Sequence, residues 1–339
     1  MKCNLCPRKC NIDRTETIGY CASSYTMKIA RAALHMWEEP CISGREGSGA
    51  IFFSGCNLRC IFCQNYGISC GERGHEVSAE ELAEEMLKLE SAGANNINLV
   101  TAGHYLPEII KTIRLAKDMG LKIPIVYNTS GYESVEAIKA LEGLVDIYLP
   151  DHKYFSDELA MKFSNAQDYH EVATKALDEM VRQCDERVTA DDTRKRDTYV
   201  TVNADDVKTY EFDERGIMKR GVIVRHLCLP GHTKDSMKVL EFLHERYGEK
   251  IYISIMNQYT PMKQVLENAR YPELAKDSAC MVRPRYPESM ESAKYPELAR
   301  KVTKREYEKV LNYATLIGIE NGFIQEGDTA KESFIPEFE

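Results

Sequence analysis

Three closely spaced cysteines are the residues of this sequence best suited to chemistry. Cys56, Cys60 and Cys63 form a C-x3-C-x2-C pattern directly after the apolar run Ala50-Ile-Phe-Phe53. Three thiolates on one tight loop can bind three corners of a [4Fe–4S] cluster, which normally takes four cysteines. The fourth iron is then left for a ligand from outside the protein. A zinc knuckle or three buried thiols are the alternatives, but the loop follows a predicted strand and no fourth ligand comes at short range in the sequence.

A second group of cysteines lies near the N-terminus, with the spacing Cys3-x2-Cys6-x3-Cys10-x10-Cys21. Four cysteines suffice for a closed site, either an auxiliary [4Fe–4S] cluster or a structural zinc. A zinc ribbon prefers two C-x2-C pairs, so the spacing favours iron–sulfur and leaves zinc open. Such a site would fold a segment that is too short to have a core of its own.

Composition excludes several classes of protein. The net charge of −9 argues against binding to the phosphate backbone of nucleic acids, and an apolar fraction of 43% is typical of a globular protein. The first residues contain no apolar signal segment, and no stretch approaches the roughly 20 apolar residues that span a bilayer. We therefore expect no membrane association and a cytoplasmic location. In that reducing compartment, clustered cysteines bind metal more often than they form disulfides.

The elements that must position these cysteines alternate from residue 50 onward. Capping boxes at Ser78–Glu81 and Thr303–Glu306 mark the starts of two helices. The predicted strands are 50–53, 96–100, 123–127, 145–149, 221–224 and 250–255. Six strands each followed by a helix predict an α/β fold with a parallel sheet. Because six units are too few for a closed eight-stranded barrel, we expect a partial (β/α)6 TIM-like barrel with its chemistry at the C-terminal ends of the strands.

Three regions follow from this pattern. Residues 1–45 form the short N-terminal cysteine-rich segment for a metal or cluster, 46–325 form the barrel, and 326–339 form a C-terminal tail. Inserted excursions interrupt the barrel at about 185–219 and 269–300. The first is rich in charged residues and is interpreted as a small hairpin. The second repeats a Tyr-Pro-Glu motif, which indicates a tandem duplication within an extended loop.

Polar or glycine residues follow each predicted strand. Gly103 and His104 come after the second strand, where Gly103 would let the backbone approach a ligand closely. The later strand ends carry Asn128 and Ser130, then Asp151 and Lys153, then Arg225, and finally Gln258. Each group alone is weak, since Asn-Thr-Ser-Gly is also an ordinary turn. Their occurrence at every strand end is what an active site at that edge predicts.

On these residues the sequence resembles the radical SAM superfamily, in which S-adenosylmethionine (SAM) chelates the open iron. The loop Cys56–Asn65 carries the resemblance first. Asn128–Tyr132, the Asp151-x-Lys153 pair and Arg225…Pro230-Gly231 extend it to the pyruvate formate-lyase activating enzyme group, in a branch with an N-terminal four-cysteine segment. One departure is Ala102-Gly103-His104, which stands where that group carries a Gly-Gly-Glu-type motif with a carboxylate near the SAM amine.

The resemblance implies a fold of the radical SAM type, a [4Fe–4S] cluster and SAM as cofactors, and flavodoxin or ferredoxin as electron donor. Reductive cleavage of SAM would give methionine and a 5′-deoxyadenosyl radical for hydrogen abstraction. Asp151 and Lys153 would act in catalysis with the three cysteines, holding the methionine end of SAM or the substrate backbone, and Phe62 would lie near the adenine. The implied cofactor-binding residues are Phe62, Gly103, His104, Asn128, Ser130, Asp151, Lys153, Arg225 and Gln258.

Three functions remain open at this point. The chain would be an activating enzyme for a glycyl-radical enzyme, a radical SAM enzyme that modifies a peptide or small metabolite, or a non-catalytic iron–sulfur electron carrier or scaffold. The polar strand ends argue against the third, because a carrier has no use for them.

Overall fold

The computed structural model describes residues 2–194, 209–262, 265 and 295–325 of the chain. The strands in these residues are β1 (Lys28–His35), β2 (Ser48–Phe53), β3 (His75–Glu76), β4 (Ile97–Val100), β5 (Ile125–Thr129), β6 (Ile147–Pro150), β7 (Glu211–Phe212), β8 (Met218–Leu227), β9 (Tyr252–Met256) and β10 (Gly322–Ile324). The α-helices are α1 (Pro40–Ser43), α2 (Tyr66–Ser69), α3 (Ala79–Ser91), α4 (Leu106–Asp118), α5 (Val135–Ala140), α6 (Asp157–Ser164), α7 (Tyr169–Arg194), α8 (Thr233–Tyr247) and α9 (Lys304–Leu316).

The strands form an open, mostly parallel sheet in the order β10-β9-β8-β6-β5-β4-β2-β1-β3. All neighbours from β2 to β10 in this order are parallel, whereas β1 pairs antiparallel with β2 and β3 with β1. In the part of the chain that the structure describes, the sheet stays open and does not close into a barrel, which confirms the predicted partial barrel. Each of the six predicted strands is present, at β2, β4, β5, β6, β8 and β9.

The two faces of the sheet carry different cores, because successive strand residues point to opposite sides. Leu99, Tyr127 and Tyr148 belong to the main core, which the long helices cover. The inner face carries Val126, Leu149 and Ile223, which pack with Ile42 of α1. The short helix α1 therefore fills the inner face below the strand ends.

Capping confirms the starts of two predicted helices. At α3, Ser78 Oγ accepts the Glu81 N–H at 3.1 Å, and Glu81 Oε2 accepts the Ser78 N–H at 2.8 Å. Thr303 and Glu306 form the same reciprocal pair at α9. Each box satisfies backbone donors that the first helical turn leaves unpaired.

The N-terminal segment packs directly against the loop that carries Cys56. The N–H of Cys56 donates to the carbonyl of Cys21 at 3.1 Å. Arg8 donates to the carbonyl of Asn57 at 2.7 Å, and its guanidinium lies 4.3 Å from the ring centroid of Tyr20. The chain passes so closely that a Cβ on Gly55 would lie 2.1 Å from Ser23 Oγ. Both groups of cysteines therefore lie in one continuous part of the molecule.

Several predicted regions fall partly outside the described residues. Within the first excursion, α7 continues to Arg194, residues 195–208 are not described, and β7 pairs antiparallel with β8 as a short hairpin. Of the predicted loop 269–300 only residues 295–300 are described, and the tail 326–339 lies entirely outside. The division at residue 45 stays a prediction. In the described part of the chain, no helix combines the length and apolar character needed to cross a bilayer.

Candidate active site

A cavity of about 240 Å³ opens at the C-terminal ends of the parallel strands. Ten of the residues predicted from the sequence line it: Cys56, Cys60, Phe62, Cys63, Asn128, Ser130, Asp151, Lys153, Arg225 and Gln258. They come from the loop after β2 and from the ends of β5, β6, β8 and β9. The parallel arrangement brings these ends to one edge of the sheet, which is where α/β folds of this type bind ligands.

The three-cysteine loop reverses direction in a strained turn. Arg59, between Cys56 and Cys60, has a φ of +58°, a region that residues other than glycine rarely adopt. Ser164 Oγ, at the end of α6, donates a hydrogen bond to Cys60 Sγ at 2.9 Å. The N–H of Cys63 donates to the carbonyl of Cys60 at 3.1 Å. These contacts hold the three thiols at one wall of the cavity.

Burial governs the ionisation of the Cys60 and Cys63 thiols. It raises the pKa of Cys63 to about 12 and also raises the pKa of Cys60, where the Lys153 ammonium opposes it. Iron is bound by the thiolate, so ligation would release protons from this wall. Three soft sulfur donors beside a polar cavity fit a [4Fe–4S] cluster that keeps one iron free for an outside ligand.

Buried charges form the polar side of the cavity. Arg225 donates from Nε to Asp151 Oδ1 at 2.9 Å and from Nη2 to Asn128 Oδ1 at 2.6 Å. Lys153 Nζ lies 2.5 Å from Asp151 Oδ2. Directly after the end of β6, Asp151 pairs with Arg225 of the neighbouring parallel strand β8. Their side chains therefore lie on the same face of the sheet. Burial would raise the pKa of Asp151, but Arg225 and Lys153 lower it below its usual value and keep the carboxylate charged.

Phe62 contributes an aromatic side chain to the cavity wall. It is buried and meets Phe163 and Tyr259 edge-on, with ring centroids 6.5 Å and 6.2 Å apart. Further apolar lining of the cavity comes from Leu58, Leu227, Phe52, Val100 and Met256.

Gly103 and His104 are the two predicted cofactor-binding residues that the structure does not bring to the cavity. The chain turns at Thr101, whose φ is +61°, and the following residues lead toward the N-terminal segment. His104 is buried there, with Nε2 2.8 Å from the Ser54 carbonyl, and its own carbonyl accepts a hydrogen bond from Arg14. A Cβ on Gly103 would lie 2.6 Å from the carboxylate of Glu133. His104 packs against the N-terminal segment and Gly103 against Glu133, and neither lines the cavity, so their predicted role in cofactor binding stays a prediction.

Sequence reasoning missed one wall of the cavity. His35, Trp37 and Glu38 line it from the end of β1 and the segment that follows. No motif marks these residues. The available signal was the largely apolar stretch between the two cysteine groups, which is long enough for the extra strand β1.

The structure gathers the N-terminal cysteines only in part. Burial raises the pKa of Cys6 to about 12, and the nearby thiols of Cys21 and Cys10 contribute to this rise. Cys3 anchors the same turn through a hydrogen bond from its N–H to the carbonyl of Ile12 at 2.7 Å. Among the residues that the structure describes, no three His, Cys, Asp or Glu side chains are arranged to hold a single metal ion.

In a comparison with known protein families, residues 50–190 match the model of the radical SAM superfamily. An uncharacterized protein of Methanocaldococcus jannaschii is 25% identical over 283 residues, which cover 80% of this chain and 69% of that protein. The pyruvate formate-lyase-activating enzyme of Clostridium pasteurianum is 32% identical over 113 residues, or 32% of this chain and 46% of the enzyme. HydG, a maturase of the [FeFe]-hydrogenase, superposes with a TM-score of 0.45 and 14% identity over 83% of this chain and 52% of HydG.

The chain thus spans less than half of the activating enzyme and about half of HydG. The matched residues 50–190 contain the three-cysteine loop, Asn128, Asp151 and Lys153, all of which line the cavity. Residues 50–190 of the chain therefore match the radical SAM superfamily.

Proposed function

We propose that this protein cleaves SAM reductively and that the resulting 5′-deoxyadenosyl radical abstracts hydrogen from a substrate. The observation that carries the proposal is the shared cavity of Cys56, Cys60 and Cys63 with Asp151, Lys153 and Arg225. When bound, a reduced [4Fe–4S] cluster and SAM would supply a 5′-deoxyadenosyl radical, which is chemistry that the cofactors bring and the protein directs.

The residues of the chain would divide this task. The three cysteines would bind the iron, and Phe62 would contact the adenine. Asp151 and Lys153 present opposite charges to the cavity, which suits the amino and carboxylate groups of an amino acid. The apolar lining would keep water away from a reactive intermediate.

We further propose that the substrate is a glycyl-radical enzyme and that flavodoxin or ferredoxin supplies the electron. The support for the substrate is the identity of 32% with a pyruvate formate-lyase-activating enzyme over 113 residues. A peptide or a small metabolite as hydrogen donor is the alternative outcome. Incubation with a glycyl-radical enzyme would separate the cases, since activation leaves a glycine-centred radical visible by electron paramagnetic resonance.

The proposed cleavage predicts a direct product. Anaerobic protein with a reconstituted cluster, dithionite and SAM should form 5′-deoxyadenosine and methionine, detected by liquid chromatography. The same protein without dithionite is the control, because the reaction needs one electron. Reduced protein that carries a cluster and forms no 5′-deoxyadenosine would instead be an electron carrier or scaffold.

We also propose that Cys3, Cys6, Cys10 and Cys21 hold a second metal centre, either a [4Fe–4S] cluster or zinc. Metal and sulfide content per chain tests this in an anaerobic preparation. About eight irons indicate two cubes, whereas about four irons with one zinc indicate a structural site. In a Cys6→Ser variant the N-terminal metal should be lost while about four irons remain. Full metal content in this variant would contradict the N-terminal site.

A further inference from the structure

The wall formed by Trp37 and Glu38 comes from outside the matched radical SAM domain, which begins at residue 50. It is held rigidly. Ser43 Oγ accepts the Glu38 N–H at 3.0 Å and donates to the His35 carbonyl at 3.1 Å. Side-chain amides anchor α1 behind it, since Asn95 donates to the Ser43 carbonyl at 2.7 Å and Asn96 donates to the Ile42 carbonyl at 2.8 Å.

Glu38 extends from this wall into the buried charges. Its Oε2 accepts from Arg225 Nη1 at 3.1 Å, with the two side chains only 9% and 15% exposed. Its Oε1 accepts from Asn98 Nδ2 at 3.2 Å and lies 3.4 Å from Asn128 Nδ2. Arg225 is thus held on three sides, by Asp151, Asn128 and Glu38.

We propose that Glu38 is a positioning residue that fixes the guanidinium of Arg225, so that the segment before the radical SAM domain completes the SAM site. This inference rests on the proposed function.

The geometry explains why the third contact matters. Asp151 already shares its carboxylate with Lys153, so it restrains Arg225 less than an unshared partner would. The aliphatic part of the Arg225 side chain has many rotamers. Each hydrogen bond that is lost therefore gives the guanidinium more freedom to rotate. Rotation of the guanidinium would break its hydrogen bond to Asn128. It would also alter the Asp151–Lys153 pair that faces the cofactor.

The neighbouring residue Glu39 provides a matched control. It is also a buried carboxyl, but its Oε2 has no hydrogen-bond partner within the described structure, and the ion pair with Arg225 is made by Glu38. Glu38→Gln and Glu39→Gln are nearly isosteric changes at adjacent positions. They differ in whether the direct charged hydrogen bond to Arg225 is lost, since Glu39 acts on Arg225 only through its charge at longer range.

The experiment measures the dissociation constant of SAM for cluster-reconstituted protein by equilibrium dialysis, together with the perturbation of the reduced-cluster spectrum by SAM. Glu38→Gln should weaken SAM binding by about 10–100-fold, as loss of a supporting contact behind a ligand does. Glu38→Asp should recover part of the affinity, and Glu39→Gln should stay within about twofold of the parent. In an Arg225→Gln background, Glu38→Gln should have little further effect, because both changes remove one interaction.

Three results would overturn the inference. These are an unchanged affinity in folded Glu38→Gln protein, additive losses with Arg225→Gln, and an equal loss in Glu39→Gln. If Glu38→Gln fails to fold, Glu38→Asp takes its place, and parental affinity in that variant together with additivity counts against positioning. A parent protein that carries a cluster and binds no SAM would overturn the proposed function itself and this inference with it.

Discussion

Cys60→Ala should reduce the formation of 5′-deoxyadenosine to background. It should also lower the iron content by about four irons per chain, the content of one [4Fe–4S] cluster. Cys60 is buried in the cavity wall, and its sulfur accepts a hydrogen bond from the Ser164 hydroxyl. Among the cysteines of the described residues, only Cys56 and Cys63 line this cavity together with Cys60. Two thiolates cannot replace three around a cube, so the site that leaves one iron open for SAM is lost. Iron analysis and chromatography after reduction with dithionite measure both effects.

Cys228→Ala is the matched control for this change. Cys228 is as deeply buried but belongs to the main core on the other face of the sheet. A buried lone cysteine behaves as a small apolar side chain, so this variant should keep its iron and its activity. Continued formation of 5′-deoxyadenosine by reduced Cys60→Ala protein would show that the assignment of the cluster ligands is wrong.

The strand-end residues were predictable because two local signals coincide at each one. Asp151 follows a buried apolar run and is succeeded by Lys153, and parallel strands bring such ends to one edge. The same reasoning predicts Asn128, Arg225 and Gln258 without any knowledge of their contacts. Local pattern is enough here because the strand itself places the residue after it.

Glu38 and His104 show where this reasoning stops. The contact between Glu38 and Arg225 joins residues 187 positions apart, so no local pattern records it. His104 follows a strand as the cavity-lining residues do, but the left-handed turn at Thr101 directs the chain toward Arg14. A conformation of that kind in a residue other than glycine depends on tertiary packing, which composition and spacing do not reveal.

The N-terminal segment shows the same limit at a larger scale. Its cysteine spacing indicated a metal centre, yet nothing in the spacing indicated that Cys21 would hydrogen-bond to Cys56 or that Arg8 would lie over Tyr20. These contacts arise because the segment has too little apolar surface to fold alone and is stabilised by packing on the barrel.

Asp151→Asn should lower the free energy of unfolding by about 3–5 kcal/mol, as removal of one partner from a buried ion pair does. The side chain keeps its shape, but Arg225 and Lys153 lose the carboxylate between them. Glu38 then remains as an acidic contact of Arg225, and Lys153 retains a buried ammonium without its ion-pair partner. Urea unfolding followed by circular dichroism measures the loss, and SAM binding should fall in the same variant.

Asp178→Asn separates this effect from the loss of any carboxylate. Asp178 accepts two hydrogen bonds from Arg246, at 2.8 Å and 2.7 Å, but the pair is 38% and 46% exposed on the surface. Water already solvates both partners there, so the variant should lose no more than about 1 kcal/mol. Equal losses at the two positions would mean that Asp151 is solvated like a surface residue. The charges in the cavity would then contribute little to the fold, and a role in binding would be their remaining explanation.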